Sequence, residues 1–296
     1  METNINRRSA IKGMLASTAV LSIPSDLFAL GLPKDNIVSI TVLKGTINHS
    51  VSRWCFDSLD LETLCVEAKK MGITGIDLVG PEAWPTLKKY NLISTMCNGA
   101  ELNLVDGFND VQFHDKLIQR YSEMIPRVAE AGYKNLICFS GNRRGKSDEE
   151  GWTNCVIGLQ KLIPLAEKYN VTLVMELLNS KIDHKDYQCD RTAWGVELAK
   201  RINSTHFKLL YDIYHMQIDE GDVIRTIKNN IQYIAHFHTA GVPGRNEIDG
   251  TQELNYPAIM KAIAATGFKG FVGQEFVPKN LDKLASLQEA ITICDI

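Results

Sequence analysis

Short apolar runs rich in β-branched residues alternate with segments of helical period along most of the chain. The helical segments, such as LETLCVEAKKMG and HDKLIQRYSEMIPRVAEAG, commonly end at glycine, the residue expected just past a helix end. This alternation is typical of parallel strands joined by crossover helices. The pattern predicts strands at residues 45–49, 75–79, 93–98, 135–140, 172–177, 208–213, 233–239 and 270–276.

The number of strand and helix units narrows the choice of fold. Eight units within 296 residues predict an α/β protein, a single (β/α)8 TIM barrel over residues 34–296. An open doubly wound sheet is the alternative, but no Gly-x-Gly-x-x-Gly motif follows an early strand to support a dinucleotide-binding version. Hydrophobic residues make up 45% of the chain, which is enough to fill the core of one large domain.

Residues 1–33 differ from the rest of the chain. Arg7 and Arg8 precede an uncharged run at residues 13–23, and together they resemble a twin-arginine export signal. The run suits the apolar region of a signal peptide but is too short to span a bilayer, so stable membrane insertion is not expected. The sequence therefore predicts export to a bacterial periplasm. The alternative is a short N-terminal helix on a cytoplasmic protein.

The charge distribution indicates the class of partner, and the cysteine spacing indicates the state of the thiols. The net charge is −3 and the Lys and Arg residues are dispersed, which argues against nucleic-acid binding and favours a small-molecule partner. The seven cysteines show no Cys-x-x-Cys spacing, so most of them are expected to be buried thiols.

Polar residues end four consecutive predicted strands in the second half of the chain. Each closes an apolar run, about one strand–helix unit after the one before it: Glu176, Asp212, His238 and Glu275. Because active sites of such barrels lie at the C-terminal ends of the strands, these side chains are expected to meet. A buried carboxylate is costly unless it is paired or bound to a cation. Three carboxylates and one imidazole suit Mn²⁺, Mg²⁺ or Co²⁺, with Zn²⁺ also accommodated; the alternative is that each acid pairs with a lysine or caps a helix.

Five segments together carry a resemblance to a known family: INHSVSRWCF, MELLNS, YDIYHMQ, HFHTAGVPGRNEID followed by ELNY, and QEF. On these motifs the chain resembles the xylose isomerase-like barrel superfamily. It is most similar to the hydroxypyruvate isomerase branch, with sugar epimerases of the D-tagatose 3-epimerase type as near relatives. His238 departs from that branch, because hydroxypyruvate isomerases often carry glutamine there whereas the epimerases carry histidine.

The resemblance implies roles for individual residues. The four strand-end residues would bind one divalent metal ion, and Glu176 and Glu275 would also act as the acid and base. His215 and Arg245 would contact substrate oxygens. Homo-oligomers are common in this family, so a homo-oligomer is expected. An enediolate route requires a base on one carbon, an acid on its neighbour and a cation on the oxygens, and this set of residues supplies those groups.

Other polar residues are expected to complete the pocket. His49 and Trp54 follow the first predicted strand and are expected to wall the substrate site. Arg245 would clamp a substrate carboxylate or hydroxyls, and Glu247 or Asp249 would hold that arginine in place.

Three further features of the sequence give less specific indications of function. His236 points to the same side of an ideal strand as His238, so it is either a hydrogen-bond partner behind the site or a core histidine. His184 has no supporting constellation and is expected at the surface or in packing. The stretch GNRRGK at 141–146 lacks Walker spacing and predicts a flexible loop over the barrel mouth, with arginines that could favour an anionic substrate.

The predicted function is a metal-dependent isomerase of a small hydroxy-keto acid or sugar, with hydroxypyruvate isomerase as the model. The alternative is a ketose 3-epimerase that uses the same two glutamates on one carbon. A non-catalytic sugar-binding protein is the third class, although binding alone does not need two acid–base glutamates beside a metal ion.

Overall fold

The computed structural model describes residues 41–296. The predicted export signal, and with it the expectation of a periplasmic location, lies outside the described residues. Eight parallel strands pair in chain order, and the last pairs with the first to close a barrel. The predicted TIM barrel is therefore confirmed. The strands are β1 (Asn48–Ser52), β2 (Gly75–Val79), β3 (Ile93–Cys97), β4 (Asn135–Cys138), β5 (Thr172–Glu176), β6 (Phe207–Asp212), β7 (Ile234–Thr239) and β8 (Phe271–Gln274).

Helices connect the strands. Helix ends follow the local chemistry of the chain: the Asp60 side chain accepts a hydrogen bond from the backbone N of Thr63 at the start of the first helix. Gly72 and Gly132 follow the first and third helices with φ values of +81° and +86°, as predicted for helix stops. The helices are α1 (Leu61–Lys70), α2 (Trp84–Lys89), α3 (His114–Glu130), α4 (Asp148–Leu159), α5 (Ile163–Tyr169), α6 (Thr192–Ile202), α7 (Ile213–Asp219), α8 (Val223–Asn230), α9 (Tyr256–Ala265) and α10 (Lys283–Cys294).

The first strand lies later in the chain than the sequence pattern predicts. The prediction was 45–49, whereas β1 runs from Asn48 to Ser52 and pairs with both β2 and β8. The reason is that Ser50 and Ser52 bond to carboxylates inside the barrel, so the inward positions of this strand are polar. A strand whose inward face is polar lacks the apolar run by which the other strands are recognised.

Two further features of the described chain are the state of its cysteines and the length of its helices. All seven cysteines are buried free thiols, in agreement with the sequence analysis. Among the helices of residues 41–296, none combines the length and apolarity needed to cross a membrane.

Candidate active site

The four predicted ligands meet at the C-terminal end of the barrel. Two of the residues end their strands, one is the penultimate residue of β7 and one directly follows β8, and all four side chains are buried. One ligand atom from each lies within 4.8 Å of the others. The cluster consists of Glu176, Asp212, His238 and Glu275.

His238 lies between the two glutamates. Its Nδ1 atom is 2.9 Å from Oε2 of Glu275 and 3.3 Å from Oε1 of Glu176. Its other ring nitrogen, Nε2, is 3.2 Å from Oδ2 of Asp77. Burial lowers the pKa of His238, but the charge of Glu275 and the hydrogen bonds to the surrounding carboxylates raise it well above its ordinary value.

The pKa values of the three carboxylates in the cluster are shifted in different directions. Burial raises the pKa of Asp212 to about 7, against the opposing charge of Arg245. Burial also raises the pKa of Glu176. For Glu275 the same effect is outweighed by His238 and Arg245, which hold its pKa well below the usual range. The raised pKa values of Asp212 and Glu176 mean that their ionised forms are costly in the buried site. A bound divalent cation would stabilise those ionised forms.

Arg245 reaches the cluster from the loop that follows β7. Its Nη2 atom is 2.6 Å from Oε2 of Glu275 and 3.4 Å from Oδ2 of Asp212. Its Nη1 atom lies 3.0 Å from Nε2 of His215. The residue has a φ of +59°, just after the Gly241–Gly244 turn that carries the chain out of the strand. Both the arginine and His215 therefore lie beside the cluster, where the sequence analysis places them.

The expectation that Glu247 or Asp249 holds the arginine is wrong. Oε1 of Glu247 accepts hydrogen bonds from the backbone N atoms of Lys279 and Asn280. Asp249 accepts hydrogen bonds from Thr251. Glu247 therefore ties its own loop to the chain that follows β8, whereas Asp249 is used within its own turn.

His215 occupies the first turn of α7. Oδ1 of Asp212 accepts a hydrogen bond from the backbone N of His215, so this aspartate also caps the helix. The Nδ1 atom of His215 is 2.6 Å from Nδ2 of Asn179. Burial, together with the charges of Arg245 and His184, lowers the pKa of His215 well below its ordinary value. A neutral imidazole therefore stands next to the arginine.

His184 packs at the site, a position that the sequence did not indicate. Its ring centroid is 5.2 Å from that of His215, in an edge-on arrangement. The prediction of a packing role holds, but the packing partner is a site residue. No spacing signal marks it, because it lies in the irregular chain between β5 and α6.

Trp54 contacts a residue of the site, whereas His49 lies away from it. The indole Nε1 of Trp54 donates a 2.7 Å hydrogen bond to Oε1 of Glu275, and its side chain is 43% exposed. His49 alternates with Ser50, whose side chain points into the barrel, so the histidine faces the helices. It is 1% exposed and neither ring nitrogen has a hydrogen-bond partner.

The basic loop at 141–146 is held by ion pairs. Arg143 Nη1 is 2.6 Å from Oδ1 of Asp148, and Arg144 pairs with Asp106. Lys146 Nζ is 3.0 Å from Oδ2 of Asp110. These cations are already paired within the protein, which removes the reason to assign them to an anionic substrate.

Asp77, in the middle of β2, is the site residue that the sequence analysis missed. Its Oδ2 atom accepts hydrogen bonds from Nε2 of His236 at 2.7 Å and from Oγ of Ser50 at 3.0 Å. Its Oδ1 atom accepts one from Thr95. Since the same carboxylate contacts His238, His236 is a hydrogen-bond partner behind the site, one of the two roles expected for it.

The donor set fits a divalent ion. Three buried carboxylates and one imidazole converge, the pKa values of two acids are raised, and the far nitrogen of the imidazole is held by a carboxylate. Hard oxygen donors with a single nitrogen favour Mg²⁺, Mn²⁺ or Co²⁺ and also accommodate Zn²⁺.

Comparison with known proteins identifies the family. The model of the xylose isomerase-like TIM barrel family matches residues 65–293. The chain belongs to this family. Its closed barrel is thus that of a xylose isomerase-like protein.

Two curated relatives of this xylose isomerase-like barrel have named activities. The 2-oxo-tetronate isomerase of Cupriavidus necator is 36% identical over 114 residues, 38% of this chain and 43% of that protein. The hydroxypyruvate isomerase of Escherichia coli is 31% identical over 155 residues, 52% of this chain and 59% of that protein. The matched segments thus span about half the length of these relatives.

Solved structures share the fold at low sequence identity. D-psicose 3-epimerase with D-tagatose, from Clostridium cellulolyticum, superposes with a TM-score of 0.67 at 16% identity, covering 84% of this chain and 100% of that one. An IOLI protein with a bound zinc atom superposes with a TM-score of 0.66 at 17% identity, covering 84% and 95%. At these identities the likeness concerns the barrel alone.

Proposed function

We propose that the protein is a metal-dependent isomerase of a small hydroxy-keto acid or sugar, acting through an enediolate. The observation that carries the proposal is the placement of Glu176 and Glu275 on either side of one imidazole, each in contact with its Nδ1 atom. Two carboxylates flanking one centre can act on two neighbouring carbons of a bound substrate. The named isomerase relatives support the same reaction class.

The metal would be held by the four strand-end residues. Glu176, Asp212, His238 and Glu275 offer one ligand atom each, all buried and mutually close. When bound, a divalent ion supplies the positive charge that stabilises the two enediolate oxygens.

The two glutamates divide the proton transfer. One carboxylate removes a proton from the hydroxylated carbon, and the other delivers a proton to the former carbonyl carbon. The hydroxyl proton passes between the two substrate oxygens, so atoms and charge balance. Arg245 and neutral His215 lie next to the cluster and orient those oxygens, the arginine as a donor of fixed geometry.

A ketose 3-epimerase is the second candidate. It would use the same two glutamates, one on each face of a single carbon. The observation that favours it is His238, because the family resemblance associates histidine with the epimerases at this position. A D-psicose 3-epimerase shares the barrel.

The test is proton exchange followed by NMR in D₂O. Metal-free and Mg²⁺-loaded protein are mixed with hydroxypyruvate and with a panel of ketoses. An isomerase places deuterium on the neighbouring carbon and yields an aldehyde, whereas an epimerase places it on the carbon that inverts. The variants Glu176→Gln and Glu275→Gln should each abolish exchange, while Glu220→Gln, an exposed glutamate bonded to Thr192, should retain it.

The same experiment separates an enzyme from a binding protein. If the chain only binds a sugar, no substrate acquires deuterium with any metal, and the glutamate variants change affinity alone. That result would reject both the isomerase and the epimerase. The periplasmic location and the homo-oligomer stay predictions.

A further inference from the structure

Asp77 forms the centre of a buried hydrogen-bond cluster beneath the proposed metal ligands. The residue is 0% exposed and comes from β2, on the far side of the barrel from β6. Its Oδ2 atom is 2.7 Å from Nε2 of His236 and 3.2 Å from Nε2 of His238. Ser50 donates to the same oxygen at 3.0 Å, and Thr95 donates to Oδ1. A fully buried carboxylate with this many hydrogen-bond partners indicates a specific role for Asp77.

We propose that Asp77 is a positioning residue that fixes the ring and the proton of His238. An ionised carboxylate only accepts hydrogen bonds, so the Nε2 atoms of both histidines must carry hydrogen. His238 is therefore held with Nδ1 turned towards Glu176 and Glu275 and available as a metal donor. This inference rests on the proposed metal-dependent function.

The contacts of the Asp77 cluster are satisfied as hydrogen bonds. Oδ2 of Asp77 lies 2.7 Å from Nε2 of His236 and 3.2 Å from Nε2 of His238. These three residues are also close enough to offer ligands to one ion, and the metal stoichiometry measured below separates the two roles. Three donors already converge on Oδ2 of Asp77. One ion per chain is therefore expected.

Gly273 on β8 makes room for the arrangement. A Cβ atom at this position would lie 2.1 Å from Oδ2 of Asp77 and 2.9 Å from Cδ2 of His238. Any side chain there would displace the carboxylate or the imidazole. Gly273→Ala is therefore a second way to disturb the Asp77–His238 contact without altering any ligand.

The experiment is calorimetric titration of the chelator-treated full chain with Mn²⁺. Wild type should bind one ion, and Asp77→Asn should weaken binding by about 10–100-fold, the usual effect of losing a carboxylate behind a ligating histidine. Gly273→Ala should shift the affinity in the same direction. Asp190→Asn, the same change at a buried carboxylate bonded to Ser180, should leave the affinity unchanged.

Equal Mn²⁺ affinities for wild type, Asp77→Asn and Gly273→Ala would overturn the positioning role alone. Two ions in wild type and one in Asp77→Asn would also overturn it, since the cluster would then be a metal site. Failure of wild type to bind Mn²⁺ would overturn the metal-dependent function and this inference with it.

A measurement on wild type does not depend on the folding of the variants. Long-range ¹H–¹⁵N spectra of the Mg²⁺-loaded protein report which ring nitrogen of each histidine is protonated. The His238 signals are assigned from their loss in His238→Gln. A proton on Nε2 of His238 and none on Nδ1 supports the proposal. A proton on Nδ1 and none on Nε2 contradicts it. The measurement separates the two roles, because a residue that only packs in the core would not fix the tautomer of His238.

Discussion

Trp54 Nε1 donates a 2.7 Å hydrogen bond to Oε1 of Glu275, an oxygen that also accepts one from Oγ of Ser52 at 3.2 Å. The other oxygen of Glu275 contacts Arg245 and His238. Among residues 41–296, the carboxylate of Glu176 has a single hydrogen-bond partner, His238. The two proposed acid–base residues are thus unequally restrained, and Glu275 is the fixed member of the pair.

Replacing Trp54 with phenylalanine tests this restraint. Trp54→Phe keeps an aromatic ring beneath the Arg245 guanidinium, which lies 5.2 Å from the present ring, but removes the donor to Glu275. Loss of one hydrogen bond to a charged group costs about 1.5–3 kcal/mol, so kcat should fall about 10–100-fold. Mn²⁺ affinity should change far less. Steady-state kinetics with the substrate found by NMR and calorimetry measure the two effects.

Trp152→Phe is the matched control, because its Nε1 donates to a backbone oxygen of Trp194 outside the site. An unchanged kcat in Trp54→Phe would show that the restraint on Glu275 is irrelevant to turnover.

Arg245→Lys tests the geometry of the guanidinium. The arginine contacts Glu275, Asp212 and His215 from two nitrogens, and a lysine ammonium cannot reproduce that fork. We expect kcat/KM to fall by about 10–100-fold, from a loss of about 1.5–3 kcal/mol in hydrogen bonding to charge. Arg201→Lys, in a surface ion pair with Glu149, should keep wild-type kinetics. Wild-type kcat/KM in Arg245→Lys would remove the arginine from substrate binding.

The cluster of proposed metal ligands could be predicted from the sequence because each lies at or beside the C-terminal end of an apolar strand. Glu176 and Asp212 interrupt hydrophobic runs, and a barrel brings consecutive strand ends to one face. Asp77 gave no such signal, since it lies inside β2 and its partners arrive from β1, β3 and β7. Contacts across a closed barrel depend on register, which the local pattern of one strand does not contain.

His49 shows how a small register error changes a functional prediction. With the first strand predicted at 45–49, His49 stood at its C-terminal end, where site residues are found. The strand instead begins at Asn48, and alternation turns His49 outward while Ser50 and Ser52 face inward. A shift of three residues moved the histidine from the pocket wall to the layer between barrel and helices.

The raised pKa values of Glu176 and Asp212, two of the proposed ligands, predict a pH-dependent response to metal. The pKa of Asp212 is about 7 in the folded protein, above the ordinary value of 3.8, chiefly because of burial. A raised carboxyl pKa gives stability that is present below the ordinary value and is lost as pH rises through about 7. The metal-free protein should therefore be less stable at pH 8 than at pH 6, and an added ion should relieve more repulsion at pH 8.

Thermal melts with and without Mn²⁺ at the two pH values measure this difference. The rise in Tm on adding Mn²⁺ should be larger at pH 8, because no proton then has to leave Asp212. In Asp212→Asn the dependence on pH should shrink. A Tm shift that is the same at both pH values would contradict the assignment of Asp212 as a titrating ligand.

Burial of His49 predicts a specific sensitivity to acid. Burial lowers the pKa of His49 from 6.5 to about 4, with Asp295 opposing the effect. The folded protein therefore holds this imidazole neutral, and stability that is present above pH 6.5 is lost as pH falls towards 4. Each pKa unit corresponds to about 1.4 kcal/mol, so the loss amounts to roughly 3 kcal/mol at most.

The variant His49→Leu removes the titrating group while keeping an apolar side chain at a site that is 1% exposed. Urea unfolding at pH 7 and pH 4.5 should show a smaller loss of unfolding free energy on acidification in His49→Leu than in wild type. His206→Gln, a partly buried histidine outside the barrel interior, should behave as wild type. Equal losses in His49→Leu and wild type would mean that the imidazole is protonated, or solvated, inside the fold.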